Sequence, residues 1–154
     1  MFTHSRVPPD CRRASTLAEL VVVLTLIGVA LGMALPALKR GFDKIETRAA
    51  AQETLSAFFV GRASAIASGR PTDVMIDAPR QRVYVRTGSD TVLALDLGLR
   101  HGVGVASTRA YSTYNAAGLG YAAANLSVVL TRGSAAETVL VSREGRAKIG
   151  VRAR

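Results

Sequence analysis

Residues 20–38 read LVVVLTLIGVALGMALPAL, nineteen positions with no charge and with Thr25 as the only polar side chain. A helix of that length rises about 1.5 Å per residue and spans roughly 28 Å, close to the ~30 Å hydrocarbon core of a bilayer. The helices of a soluble core usually interrupt such a run with charge on one face. The stretch therefore reads as a membrane segment. Before it stands a basic leader with Arg6, Arg12 and Arg13, and after it come Lys39 and Arg40.

Three membrane readings fit these residues. A cleaved secretory signal fits the basic start and the small residues Gly32 and Ala34. A single-pass anchor fits the length. The third turns on Glu19, at the edge of the apolar run, where a carboxylate is costly in lipid and needs a partner. Charge does not settle the orientation, because bases flank the segment on both sides.

Composition narrows the classes. The chain has 154 residues, enough for one domain and an appendage. Hydrophobic residues make up 49% of it, which excludes a disordered chain. A single cysteine, Cys11, excludes a disulfide framework or a cysteine-based zinc site. Lys+Arg number 20 against 11 Asp+Glu, for a formal charge of +9, and only Lys39, Lys44 and Lys148 are lysines.

The segment Arg12-Arg13-Ala14-Ser15-Thr16-Leu17-Ala18-Glu19-Leu20-Val21-Val22-Val23-Leu24 resembles the processing site of type IV prepilins and type II secretion pseudopilins. The resemblance implies cleavage by a prepilin peptidase between Ala14 and Ser15, on the cytoplasmic side, and methylation of the new amino terminus at Ser15. Glu19 then becomes the fifth mature residue, and Gly28 and Pro36 the fourteenth and twenty-second, where the family often carries Gly and Pro. Ala14 stands where the family usually has Gly, and Ser15 where it has Phe or Met. In such filaments Glu19 pairs with the free amine of a neighbouring subunit. That role agrees with the need of a buried carboxylate for a nearby cation. Pro36 removes a backbone donor within the helix and is expected to kink or loosen it.

Beyond the membrane segment the helical period continues from Lys39 to Ser68 and becomes amphipathic. Leu55, Phe58, Phe59 and Ile66 form the apolar positions, and Arg48, Gln52, Glu53 and Arg62 the polar ones. Gly69-Arg70-Pro71 ends it. After Pro71 the period changes to two. Val74–Ile76, Arg82–Arg86, Thr91–Leu97 in part and a weaker run, Gly98–Ser107, around Val103 and Val105 read as strands, with Ala78-Pro79-Arg80-Gln81 as a turn. Residues 112–125, rich in Gly and Ala, read as a loop. Leu126–Thr131, Thr138–Ser142 and Ala147–Val151 read as a meander joined by Arg132-Gly133-Ser134 and Arg143-Glu144-Gly145. The expected fold is α+β: a long N-terminal helix, transmembrane in its first half and amphipathic in its second, packed on an antiparallel β-sheet or small β-sandwich. The implied organisation is a cleaved leader (1–14), a transmembrane helix half (15–38), an amphipathic helix half (39–70) and a periplasmic β domain (71–154).

Three later pieces also resemble the H-type minor pseudopilins, the GspH/FimT group: Gly61-Arg62-Ala63-Ser64-Ala65-Ile66-Ala67, the strand Thr72–Ile76, and Val139-Leu140-Val141-Ser142-Arg143-Glu144-Gly145-Arg146. The resemblance implies a bacterial inner-membrane protein with its C-terminal domain in the periplasm. Its partners would be the prepilin peptidase and other major and minor pseudopilins.

No catalytic constellation stands out, and no cofactor is expected. His4 lies in the leader and His101 stands alone, so there is no histidine pair to ligate a metal. The glycines at 98, 102 and 104 are not followed by a phosphate-binding helix. Asp73, Asp77, Asp90 and Asp96 fall at expected strand ends and turns. Asn125-Leu126-Ser127 matches a glycosylation sequon by a short pattern common by chance. Without Arg6, Arg12 and Arg13, and without Asp10 and Glu19, the part from Lys39 onward keeps 17 bases against 9 acids. Arg143, Arg146, Lys148, Arg152 and Arg154 concentrate that charge near the end. Gly145-Arg146-Ala147-Lys148 is similar to a Gly-Arg-x-Arg motif through which some FimT-side members bind DNA. Arg146 and Lys148 are therefore candidate phosphate contacts, Lys148 without the bidentate fork of an arginine. The main expectation is a minor pseudopilin of a type II secretion system; the alternative is a minor type IV pilin that takes part in pilus biogenesis or DNA uptake.

Overall fold

Long apolar and amphipathic periods in one uninterrupted run produce one helix, α1 (Leu17–Ser68). The computed structural model describes residues 17–121 and 125–150. The expected cleavage site at Ala14 and Ser15 lies outside these residues. The chain divides into two units, with the boundary between Ala37 and Leu38.

In the first unit every described residue is exposed. The Thr25 hydroxyl donates to the Val21 carbonyl at 2.7 Å, so the one polar side chain of the apolar run is satisfied inside its own helix. The helix continues through Pro36, which leaves the Gly32 carbonyl without its usual helical donor.

The second unit begins with the remainder of α1. Its buried positions are Asp43, Thr47, Ala50, Ala51, Thr54, Ala57, Phe58, Gly61 and Ala65, spaced mostly three and four apart along one face. Apart from Phe58 these side chains are small, so the sheets approach the helix backbone closely. Thr47 and Thr54 bond back to the carbonyls of Asp43 and Ala50 at 2.7 and 2.8 Å, which removes the cost of burying two hydroxyls. The expected apolar face is corrected in part. Phe58 is buried and Leu55 packs against the core, but Phe59 and Ile66 are 55% and 54% exposed. The small residues beside Phe58 hold the inward face, which leaves the larger ones outside.

The chain then runs β1 (Thr72–Asp77), β2 (Arg82–Thr87), β3 (Asp90–Asp96), a short helix α2 (Leu97–His101), β4 (Gly104–Ser107), β5 (Tyr111–Tyr114), β6 (Gly120–Tyr121), β7 (Leu126–Arg132), β8 (Ala135–Val141) and β9 (Ala147–Gly150). Two antiparallel sheets result, ordered β3-β2-β1-β5-β6 and β4-β7-β8-β9. Inward residues of both sheets, including Val74, Val85, Val128 and Val139, join Ala57 and Phe58 of α1 in one core. The α+β expectation, a long helix packed on antiparallel sheets, describes the fold.

Two segments differ from the sequence reading. Within residues 112–125, which read as a loop, the structure has the end of β5 (Tyr111–Tyr114), paired with β1, and β6 (Gly120–Tyr121), paired with β5. The Tyr-Ser-Thr-Tyr pattern of β5 carries the period of two, with Ser112 and Tyr114 buried, but the Gly and Ala residues that follow conceal it. Residues 97–101 are helical, not extended. The Gln81 carbonyl accepts from the Leu97 and Gly98 amides, and Asp96 Oδ1 accepts from the Leu99 amide at 2.9 Å. Three amides at the start of α2 are thereby satisfied. That capping holds Asp96 Oδ1, which with Arg82 lowers the Asp96 carboxyl below its ordinary range.

Candidate assembly surfaces

The features that stand out are surfaces and clasps. Glu19 lies exposed in the first turn of α1, where the positive end of the helix dipole favours an anion. The apolar surface from Leu17 through Leu38 is wholly exposed, and α1 is long and apolar enough to cross a membrane. About twenty exposed apolar residues in a row exceed what a soluble monomer displays, which points to membrane anchoring.

Arg146 and Lys148 line one cleft of about 840 Å³, with Arg143, Leu140 and Ser127. The three-residue turn Arg143-Glu144-Gly145 places them there. The Ser142 amide donates to the Arg146 carbonyl at 2.8 Å, the Gly145 amide to the Ser142 carbonyl at 2.9 Å, and Gly145 takes φ +83°. Glycine adopts that left-handed conformation without strain. Inside the fold, the Tyr114 hydroxyl donates to the Gly145 carbonyl at 2.8 Å and so anchors the turn from beneath. Burial pushes the Tyr114 hydroxyl up to about 12.

Sequence reasoning set His101 aside as solitary. The structure places it in a polar clasp that ties α2 and the end of β7 to α1. Its Nδ1 stands 2.8 Å from Glu46 Oε2, and its Nε2 stands 3.4 Å from Glu53 Oε2. Arg100 pairs with Glu53 at 3.0 Å, and Arg132 Nε donates to Asp43 Oδ1 at 3.1 Å. Arg132 Nη1 also donates to the His101 carbonyl. Glu46 and Glu53 are seven residues apart, two turns on one helix face. That spacing is the only trace of the clasp in the sequence. Among the described residues no group of three or more His, Cys, Asp or Glu side chains is arranged to hold a metal.

The four aspartates expected at strand ends and turns serve the sheet. Asp73 accepts from Thr113 at 2.6 Å. Asp77 accepts from Tyr84 at 2.8 Å and from Arg80; these bonds, the tyrosine's first, hold its carboxyl below the ordinary range. Asp90 opens β3, and Asp96 closes it while capping α2.

No protein-family model and no curated protein matches the sequence. Solved structures do resemble the fold. The type IV minor pilin FimU of Pseudomonas aeruginosa PAO1 superposes with a TM-score of 0.58 at 15% identity, over 69% of this chain and 89% of that one. The minor pseudopilin EpsH of the Vibrio cholerae type II secretion system gives 0.53 at 14% identity, over 68% and 95%. The fold of this chain is that of the type IV pilin-like minor pilins and pseudopilins.

Proposed function

We propose that the chain is a minor pseudopilin of a type II secretion system: a structural subunit of a short periplasmic filament, not an enzyme. The observation that carries this reading is α1 itself. One helix supplies a wholly exposed apolar half at the N-terminal end and, in its second half, the face on which two antiparallel sheets are built. The solved structures that share the fold are a type IV minor pilin and a minor pseudopilin of a type II secretion system. In this reading a prepilin peptidase cuts between Ala14 and Ser15, Ser15 is methylated, and residues 20–38 hold the subunit in the bacterial inner membrane with the β domain in the periplasm. Other major and minor pseudopilins are its partners. Glu19 meets the amine of Ser15 on an adjoining subunit as each copy is added, and Pro36 loosens the helix for packing. Intact-mass and N-terminal analysis of the membrane-extracted protein tests this: a chain beginning at Ser15 is expected, and one beginning near Leu35 would mean conventional secretion and overturn it. Glu19→Ala should leave cleavage intact and impair incorporation into filaments; unchanged incorporation removes the ion-pair role.

A second reading, a FimT-type minor pilin in pilus biogenesis or DNA uptake, draws support from Arg146 and Lys148 lining one cleft. A steep salt dependence of DNA affinity, lost in Arg146→Ala/Lys148→Ala, would favour it. Association with minor pseudopilins, without DNA binding at moderate salt, would favour the first.

A further inference from the structure

Among the described residues the second sheet ends in β9, four residues long, bonded to β8 on one side only. The Ser142 amide bonds the Arg146 carbonyl, and in an antiparallel ladder bonded and non-bonded pairs alternate. Leu140↔Lys148 and Thr138↔Gly150 are then the bonded pairs. Val141↔Ala147 and Val139↔Ile149 are non-bonded, so Ala147 and Ile149 direct their amides and carbonyls outward along the free edge.

Two clefts reach β9. The first runs across the ends of β7, β8 and β9 beside the 143–145 turn, with Ser127, Leu140, Arg143, Arg146 and Lys148 in its lining. On the helix side a second, of about 400 Å³, is lined by Ile149, Glu137, Lys44 and Arg48. A strand added beside β9 would send its side chains alternately to the two faces, one set toward the cations of each cleft. The clefts carry aliphatic side chains, Leu140 in the first and Ile149 in the second, and three and two cations. Arg48 already faces Glu137 at 3.4 Å. Arg143, Arg146 and Lys148 have no ion-pair partner among the described residues, and the one carboxylate in the first cleft is Glu144. Among the described residues no aromatic side chain lines either cleft to stack a base, which favours a polypeptide over a nucleic acid.

We infer that the free edge of β9 is a docking site for an acidic extended polypeptide segment, which adds as a further strand and places carboxylates in both clefts. Main-chain bonds to Ala147 and Ile149 would give affinity, and the flanking cations would select for acidic side chains. This goes beyond the filament reading and does not depend on it.

The test uses the full chain in micelles of an uncharged detergent and a fluorescent octapeptide alternating valine and glutamate, read by anisotropy. Binding is expected, with no binding of the matched valine–lysine peptide. Arg146→Glu/Lys148→Glu should weaken it by about tenfold, two surface ion pairs being lost and reversed. Ala147→Pro, which removes an outward amide at an edge position that tolerates proline, should weaken it similarly. Should Ala147→Pro unfold the domain, the charge-reversal variant decides alone. No binding of the valine–glutamate peptide, equal binding of the lysine peptide, or tighter binding of an eight-nucleotide single strand that the reversal abolishes would each overturn the inference.

Discussion

At Gly61 α1 approaches the first sheet closely, and replacing it tests the packing directly. A Cβ there would lie 2.6 Å from Val74 Cγ2, and 3.6 and 3.7 Å from the Tyr114 ring. The ring contacts are ordinary, but carbon atoms prefer about 3.5–4.0 Å, so Val74 must yield by roughly 1 Å. Val74 is fully buried, held in register between Val85 and Ser112, and stiff about χ1. Overpacking of this kind costs about 1–3 kcal/mol. The alanine recovers about 1 kcal/mol of helix propensity, so Gly61→Ala should destabilise the domain by up to about 2 kcal/mol. Gly41, on the same helix, has nothing within 4 Å of its Cβ position, and Gly41→Ala should stabilise by about 0.5–1 kcal/mol. Val74→Ala removes the obstructing methyl. The double variant Gly61→Ala/Val74→Ala should therefore be more stable than the sum of its parts by about 1 kcal/mol. Urea unfolding of the full chain in micelles gives these values through the near-ultraviolet signal, since all four tyrosines lie beyond residue 83. If Gly61→Ala stabilises as much as Gly41→Ala, or if the cycle is additive, the close approach does not exist.

Two further outcomes are expected. The Tyr114 hydroxyl titrates near 12 in the fold, against an ordinary value of 10. Its stabilisation is therefore fully present below pH 10 and is lost as pH rises from 10 toward 12; Tyr114→Phe should flatten that alkaline loss and cost about 1–2 kcal/mol at neutral pH, read by urea midpoints across the pH range. Arg132→Ala should destabilise the second unit by roughly 1–3 kcal/mol, because Asp43, 9% exposed, loses its cation; a double cycle with Asp43→Ala measures the coupling, and zero coupling would show the clasp to be idle.

The apolar run of residues 20–38, the helix that carries it to Ser68, and the three-strand meander from Leu126 to Gly150 were legible in the chain. Each is a local pattern: length without charge, a period near 3.6, or a period of two punctuated by Gly and Arg turns. Ala14, Ser15 and Glu19 were picked out as a linear motif for the same reason. The strand at Tyr111–Tyr114 was not legible, because four residues beside a Gly/Ala-rich stretch carry too little periodicity to compete with a loop. Its partner, β1, lies about forty residues earlier. Nor could the inward choice of Thr54 and Ala57 over Phe59 be read locally, since it depends on how closely two sheets approach one helix. The same holds for the meeting of His101 with Glu46, 55 residues away, and for the two clefts that reach β9. Periodicity along a chain records which face a residue can present. Only the long-range pairing of sheets and helix determines what that face meets.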